Sequence, residues 1–383
     1  MSKRGKTRSR RTEYLLAAVI SVAVALFVLE IYSRKTFPDG LHVERWQEPY
    51  LGTGEETRMS ATGGSPESQG YDRRLFHYTY RYDRDLTGMA DRGTFLFRSR
   101  TQAAPPRPGV TRIFVLGGSV AWGAGASSES AMWWAVLERE LREKLGDPGI
   151  FVIPAAATGQ VTTQERLTAE LFVFPLKPDA IVTIDGFNDL TSLWYGARPG
   201  DPFNQGISYA RFESLGFHVF HVLGRWSSLA RSLLWDAVHS ELARNQKRVL
   251  EDPVARGHLT ASTKAVFTDN VSRLASRCSQ ERVFCLFGLQ PNLALTRLYM
   301  GDSEPPVTNI NWMLTHVARE LQGDLATTRW PEKAHPLDVT HLMDGRAGDY
   351  LDPVHLDDAG QRAMASAFAD ALLSERGKWY RRR

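Results

Sequence analysis

The sequence predicts an α/β protein: a three-layer α/β/α sandwich around a parallel sheet of about five strands, preceded by one transmembrane helix. Three observations carry this expectation. From Arg112 onward, short apolar runs without polar alternation take turns with amphipathic runs of helical period. Strands that read this way are buried on both faces, and helices must then cover both faces. Each apolar run ends in glycine, proline or small polar residues, the punctuation of strand-to-helix turns. Near the N-terminus, an uncharged apolar stretch lies between charged flanks. With 383 residues, 43% of them hydrophobic, the chain has material for a large core.

Residues 1–12 form a basic tail, with six Lys and Arg residues ahead of the apolar stretch. That stretch, residues 14–29 bracketed by Glu13 and Glu30, makes 13–32 a membrane anchor at the short end of the roughly 17–25 residues a spanning helix needs. A cleaved signal peptide is the competing reading. Its A-x-A site, however, would be Ala23-Val24-Ala25, inside the apolar run, with bulky or charged residues following. The basic tail orients the N-terminus to the cytoplasm and the remaining chain outward, into the periplasm in a Gram-negative cell. Residues 33–109 read as linker and irregular covering, rich in Gly, Ser, Pro, Glu and Thr up to about residue 75. The run LFHYTYRYDRD within it alternates like a strand.

The α/β region, 110–378, begins with a strand at 112–116. Ser128 or Ser130 is the expected cap of a helix at 131–146, ending at Gly146. A strand follows at 149–157, a helix at 162–176 broken before Pro178, and a strand at 179–186. The rhythm then fails: 190–260 reads as a mostly helical insert. It resumes with a helix at 264–280, a strand at 282–291, a helix at 308–323, a short strand at 335–343 and a closing helix at 357–376. Cys278 ends a helical run and Cys285 lies in a strand. They are either a disulfide, which an extracytoplasmic compartment permits, or two buried thiols.

Sites in an open parallel sheet form at the carboxyl ends of its strands. Gly117-Gly118-Ser119 follows the first strand, Thr158-Gly159-Gln160 the second, Gly186-Phe187-Asn188-Asp189 the third, and Asp352-Pro353-Val354-His355 precedes the last helix. A serine that follows two glycines at a strand end is exposed and free to be approached. It becomes a nucleophile when a base takes its proton, and His355 with Asp352 three residues earlier is a base with an orienting carboxylate.

These four blocks, in this order, resemble the SGNH hydrolases, the GDSL esterase and lipase family, over about residues 110–375. The chain departs from that pattern at Gly118, where the family name has Asp, and in the alanines that precede the second block. The resemblance implies a flavodoxin-like SGNH fold and acyl transfer from an ester through an acyl-enzyme. Ser119 is then the nucleophile, His355 the base and acid, and Asp352 its partner, with an oxyanion hole of the Ser119 N–H, the Gly159 N–H and the Asn188 amide. It calls for no metal and no cofactor. Asp189 is expected to anchor the loop that presents Asn188. The substrate is expected to be an acylated small molecule, glycan or lipid. O-acetyl or acyl esters of envelope glycans lead, a lipid or lysophospholipid esterase is the runner-up, and a non-catalytic SGNH-fold domain of an envelope assembly is the rival of a different class.

Other patterns point to structure. Trp122, Trp133 and Trp134 read as core rather than as the wall of an acyl pocket. His218 and His221 lie one helical turn apart without a carboxylate or cysteine at ligand spacing, so they read as packing histidines. Net charge is +4, with much of the excess at the two ends, which gives no basic face for nucleic acid.

Overall fold

The structure, a computed structural model, describes residues 4–36, 69–72, 77–80, 108–156, 159–192, 200, 223, 227–306 and 310–380. These divide between two compact units. One holds the helix Arg4–Thr36, residues 223 and 227, and the helix Ser228–Glu251 as far as Ala243; the other holds the remaining described residues.

In the first unit, residues 12–33 form the stretch long and apolar enough to cross a membrane, with large side chains such as Leu15, Val19, Phe27 and Ile31 exposed. Glu30, which brackets the apolar run in the sequence, accepts hydrogen bonds from Ser228 N (2.9 Å), Leu229 N (3.0 Å) and Ser227 Oγ (2.7 Å). A carboxylate there satisfies the orphan donors of a helix start and complements its dipole.

The second unit is built on five parallel strands: β3 (Thr111–Gly117), β4 (Ile150–Pro154), β5 (Ala180–Asp185), β6 (Phe284–Leu289) and β7 (Ala334–Asp338), in the spatial order β4-β3-β5-β6-β7. Residues of β3, β5 and β6 are buried along their whole length, as their mostly apolar composition without polar alternation leads one to expect, and Thr111, Arg112, Thr183 and Asp185 are buried with them. The chain steps from β3 outward to β4, then back past β3 to β5 and on to β7. Right-handed crossovers therefore put the helix Trp133–Leu145 on one face and the later crossover helices on the other. The helix Asp358–Ser374 packs beside Trp133–Leu145, and the helix Pro253–Glu281 contacts both Thr162–Thr168 and Ile310–Thr327, completing three layers. A two-stranded antiparallel ribbon precedes the sheet: β1 (Gln69–Asp72) and β2 (His77–Tyr80), with Tyr71 opposite Tyr78. β2 lies in the alternating run; β1 falls in the stretch read as irregular, because four residues including a glycine carry too little pattern to stand out.

Several local expectations change in the three-dimensional fold. Neither Ser128 nor Ser130 caps the first helix. The helix starts at Trp133 with Met132 at its N-cap, and Trp133 N donates instead to Gln361 Oε1 (3.0 Å), a residue of the closing helix. That helix does end at Gly146, in the left-handed conformation (φ +63°). The segment from 162 is helical only to Thr168, then passes through a π turn (Ala169–Val173) and a 3-10 turn (Phe174–Leu176) that stops ahead of Pro178. Buried Arg112 holds this ending by donating from Nη2 to the carbonyls of Leu176 (2.5 Å) and Lys177 (2.7 Å). The helix before β6 begins at Pro253, not 264, with Asp252 as its cap. Trp122, Trp133 and Trp134 are core: all three are at most 4% exposed, and Trp133 packs its ring, tilted by 42°, against Phe368. Much of the predicted insert lies outside the described residues, as do His218 and His221; its described part is helical, Ser228–Glu251 and the first turns of Pro253–Glu281.

Cys278 and Cys285 form a disulfide that ties the end of the helix Pro253–Glu281 to β6 across a separation of seven residues. Both are fully buried. Replacing both with alanine should cost about 2 kcal/mol of unfolding free energy for so short a loop, measured by denaturant titration. Thiol labelling of the unfolded wild-type chain should need prior reduction. Two thiols that label without reductant would refute the bond.

Candidate active site

The sheet order places β3 and β5 side by side, with chain crossovers leaving them toward opposite faces. This is the switch point at which such sheets bind ligands. Gly117 pairs with Ile184, so the turns after both strands emerge next to each other.

The β3 turn is forced by Gly117. Its φ of +140° disfavours any L side chain, and a Cβ there would lie 2.6 Å from the Ile184 carbonyl oxygen. The chain then enters the short helix Ser119–Trp122, whose first residue is Ser119. Ser119 is half-buried, and its backbone N–H belongs to a first helical turn, which has no acceptor within the helix.

The block Asp352 to His355 comes from the far end of the chain and sits in a tight loop. Tyr350 and Leu356 pair across its base, Leu351 N donates to His355 O (2.8 Å), and Leu293 N donates to Pro353 O (2.8 Å). Inside the loop, Asp352 Oδ1 accepts from Val354 N and His355 N (2.8 Å each). Its Oδ2 lies 2.5 Å from His355 Nδ1, and His355 Nε2 lies 2.7 Å from Ser119 Oγ. With Nδ1–H donated to the carboxylate, Nε2 is left as an acceptor for the serine hydroxyl. Three residues up to 236 positions apart thus form one continuous hydrogen-bonded line, and His355 is only 9% exposed.

Asn188 and the loop after β4 meet on the other side of Ser119. Asn188 Nδ2 donates to Gln160 O (2.8 Å), which brings the segment following Gly159 against the β5 turn. Gly159 itself is left-handed (φ +73°). The neighbouring link runs in the opposite sense: Asp189 accepts from Thr162 N (3.2 Å) and Thr162 Oγ1 (2.7 Å). Residues 160–162 and 188–189 are therefore clasped by bonds given in both directions. Asn270, from the helix Pro253–Glu281, adds bonds from Nδ2 to Thr162 Oγ1 (3.3 Å) and Thr163 Oγ1 (2.9 Å).

Beneath this clasp lie carboxyls that the motif reading passed over. Glu165 and Asp185 are buried and hydrogen-bonded to each other. Burial, then the Asp185 charge, pushes the Glu165 carboxyl well above its ordinary range. Burial also raises Asp185, although its bonds with Glu165 and Thr183 oppose the shift. Glu165 is therefore the proton holder and Asp185 the acceptor. Asp189 is pushed up to about 7, by burial first and by the Asp185 charge, against the pull of its Thr162 bonds. The sequence signal was available in retrospect: an Asp as the last residue of a fully buried strand needs a partner, and Glu165 faces it. Among the described residues, no cluster of His, Cys, Asp and Glu has a metal-binding arrangement.

No family model and no curated protein matches the chain. Solved structures that match include the α/β hydrolase LAE5 from the metagenome of Lake Arreo, with 13% identity and a TM-score of 0.39 over 71% of this chain and 97% of that one. The acetyl xylan esterase AlAXEase matches with 12% identity and a TM-score of 0.38 over 68% and 99%. A GDSL-like lipase from Bacteroides thetaiotaomicron matches with 13% identity and a TM-score of 0.39 over 71% and 92%. These likenesses are distant, and the chemistry of the site rests on its own geometry.

The buried carboxyls give stability a pH dependence of definite sign. In the unfolded chain, Glu and Asp lose their protons near pH 4. In the folded chain these groups hold them to higher pH. Between about pH 4 and 7 these three groups therefore bind more protons in the native state than in the unfolded one, and their contribution to stability falls as pH rises. Glu165→Gln keeps a donor to Asp185 but has no proton to lose. Its thermal midpoint should fall less steeply than that of the wild type from pH 5 to 8; parallel curves would refute Glu165 as the proton holder.

Proposed function

We propose that this chain is a membrane-anchored, extracytoplasmic serine ester hydrolase or acyltransferase of the SGNH type, acting on O-acetyl or acyl esters of envelope glycans. The observation that carries the reading is the line Asp352–His355–Ser119, with a 2.7 Å bond between imidazole and hydroxyl. A nucleophile bonded to a base that is itself oriented by a carboxylate is the arrangement acyl transfer requires.

In this reaction Ser119 Oγ attacks the ester carbonyl carbon, and its proton passes to His355 Nε2. Asp352 stabilises the imidazolium and stays ionised. The carbonyl oxygen gains the negative charge and accepts from the Ser119 N–H, the Gly159 N–H and the Asn188 amide. Asn188 Nδ2 carries two hydrogens, of which Gln160 O takes one. Collapse breaks the bond to the leaving alcohol, which receives the proton from Nε2. Water or a sugar hydroxyl then gives its proton to Nε2 and attacks the acyl carbonyl carbon; the bond from that carbon to Ser119 Oγ breaks, and Oγ takes the proton back from Nε2.

An outward location is supported by the anchor helix, by the basic tail before it, and by the disulfide, a bond of oxidising compartments. The anchor also favours a second reading, a lipid or lysophospholipid esterase, since it would hold the site near lipid. Acyl-chain preference on model esters separates the two: an acetyl optimum supports glycan esters, a long-chain optimum lipids.

Ser119→Ala and His355→Ala should each lower kcat by about 10³-fold or more, and the double variant should lose little beyond either, because the pair acts as a unit. Asn188→Ala should lose about 10²–10³-fold, the share of one oxyanion donor. Esterase assays with a fluorophosphonate probe for Ser119 measure this; full activity in Ser119→Ala would end the reading. For topology, a reporter fused after Arg383 should be active outside the cytoplasm and silent inside. Cytoplasmic activity would reverse the orientation.

A further inference from the structure

Gly118 differs from its neighbour Gly117 in one respect. Its backbone is extended (φ −81°, ψ −150°), a conformation any residue adopts without strain. Nothing in the backbone requires glycine there. The requirement comes from across the site. A Cβ on Gly118 would fall on Asn188 Nδ2, well inside contact distance, and would lie 3.3 Å from Asn188 Cγ and 3.4 Å from Gln160 O. The side chain that Gly118 lacks is the space that the Asn188 amide fills.

Asn188 has little freedom to give way while keeping its place. Its amide is fixed by the 2.8 Å bond to Gln160 O, and its backbone is held by the Asp189 bonds to Thr162. A Cβ at 118 leaves one escape, rotation of the Asn188 side chain about its own bonds. Rotation of one short side chain costs the fold little. It removes the amide from beside Ser119, and so it costs the chemistry.

We propose that Gly118 is a positioning residue, whose bare Cα face sets the Asn188 amide for the developing oxyanion. This rests on the ester-hydrolase reading above. It also gives a physical meaning to the departure from Gly-Asp-Ser at this position: with this placement of the amide, a side chain at 118 and an oxyanion donor at 188 exclude each other.

The test uses the full-length protein in detergent, with a short model ester, and the variants Gly118→Ala, Asn188→Ala and the double variant. Gly118→Ala should lower kcat by about 10²-fold, toward the Asn188→Ala value. KM and the thermal midpoint should stay close to wild type. The double variant should be no slower than Asn188→Ala alone, because trimming Asn188 vacates the space that the new methyl needs. Three results would overturn the proposal: wild-type kcat in Gly118→Ala; a double variant that loses the product of the two single losses; or a large fall in the thermal midpoint of Gly118→Ala, which would make the glycine a requirement of the fold. Activity retained in Asn188→Ala would remove the donor itself, whereas activity retained in Ser119→Ala would overturn the hydrolase reading; the two failures are read from different variants.

Discussion

The pairing of β3 with β4 on one edge and β5 on the other, all parallel, is the constraint on which the site depends. Parallel pairing brings the carboxyl ends of all three strands to one edge. Stepping out to β4 and back past β3 sends the crossovers to opposite faces, which leaves the turns after β3 and β5 adjacent. Ser119 and Asn188 stand on those turns because of the connectivity, with 69 positions of chain between them. The loop with Asp352 and His355 belongs to no strand end. It reaches the same place because its base is closed by Tyr350 and Leu356 and its tip is pinned by Leu293.

The two sides of Ser119 are polar in different ways. On one side the Asp352 carboxylate collects two backbone N–H groups and the imidazole, so its charge is shared among donors in a tight loop. On the other, Glu165, Asp185 and Asp189 are buried together, and the first of them keeps its proton to relieve the others. In the proposed reaction the first arrangement serves a group that must stabilise a cation during turnover. The second holds two loops together through hydrogen bonds to Thr162, which need no change of charge.

What the sequence displayed was whatever depends on local period and punctuation. The strands at 111–117, 180–185 and 284–289 are legible because burial on both faces keeps them mostly apolar, without polar alternation. Ser119 and Asn188 are legible because parallel topology converts separate strand-end positions into one place, and His355 because Asp352 stands three residues before it. The cap of the helix at Trp133 was not, since Gln361 supplies it from 228 residues away and a nearer serine looked as good. The carboxyls at 165 and 185 were hidden for the same reason, each unremarkable alone. Sequence spacing likewise left the cysteines undecided between thiols and a bond, because the choice turns on how a helix end meets a strand. Gly118 read as loss of a motif residue; only the placement of the Asn188 amide turns that loss into a fit.

The distance along the chain between Ser119 and His355 has a consequence for biosynthesis. Synthesis runs from the N-terminus at roughly 5–20 residues per second, and 236 positions separate the two. The serine therefore emerges tens of seconds before the histidine to which its hydroxyl is hydrogen-bonded. During that interval the hydroxyl is an ordinary alcohol, inert toward any ester it meets. In the proposed reaction, reactivity switches on only when the distal loop docks, so the growing polypeptide needs no separate inhibitor while it is still being made.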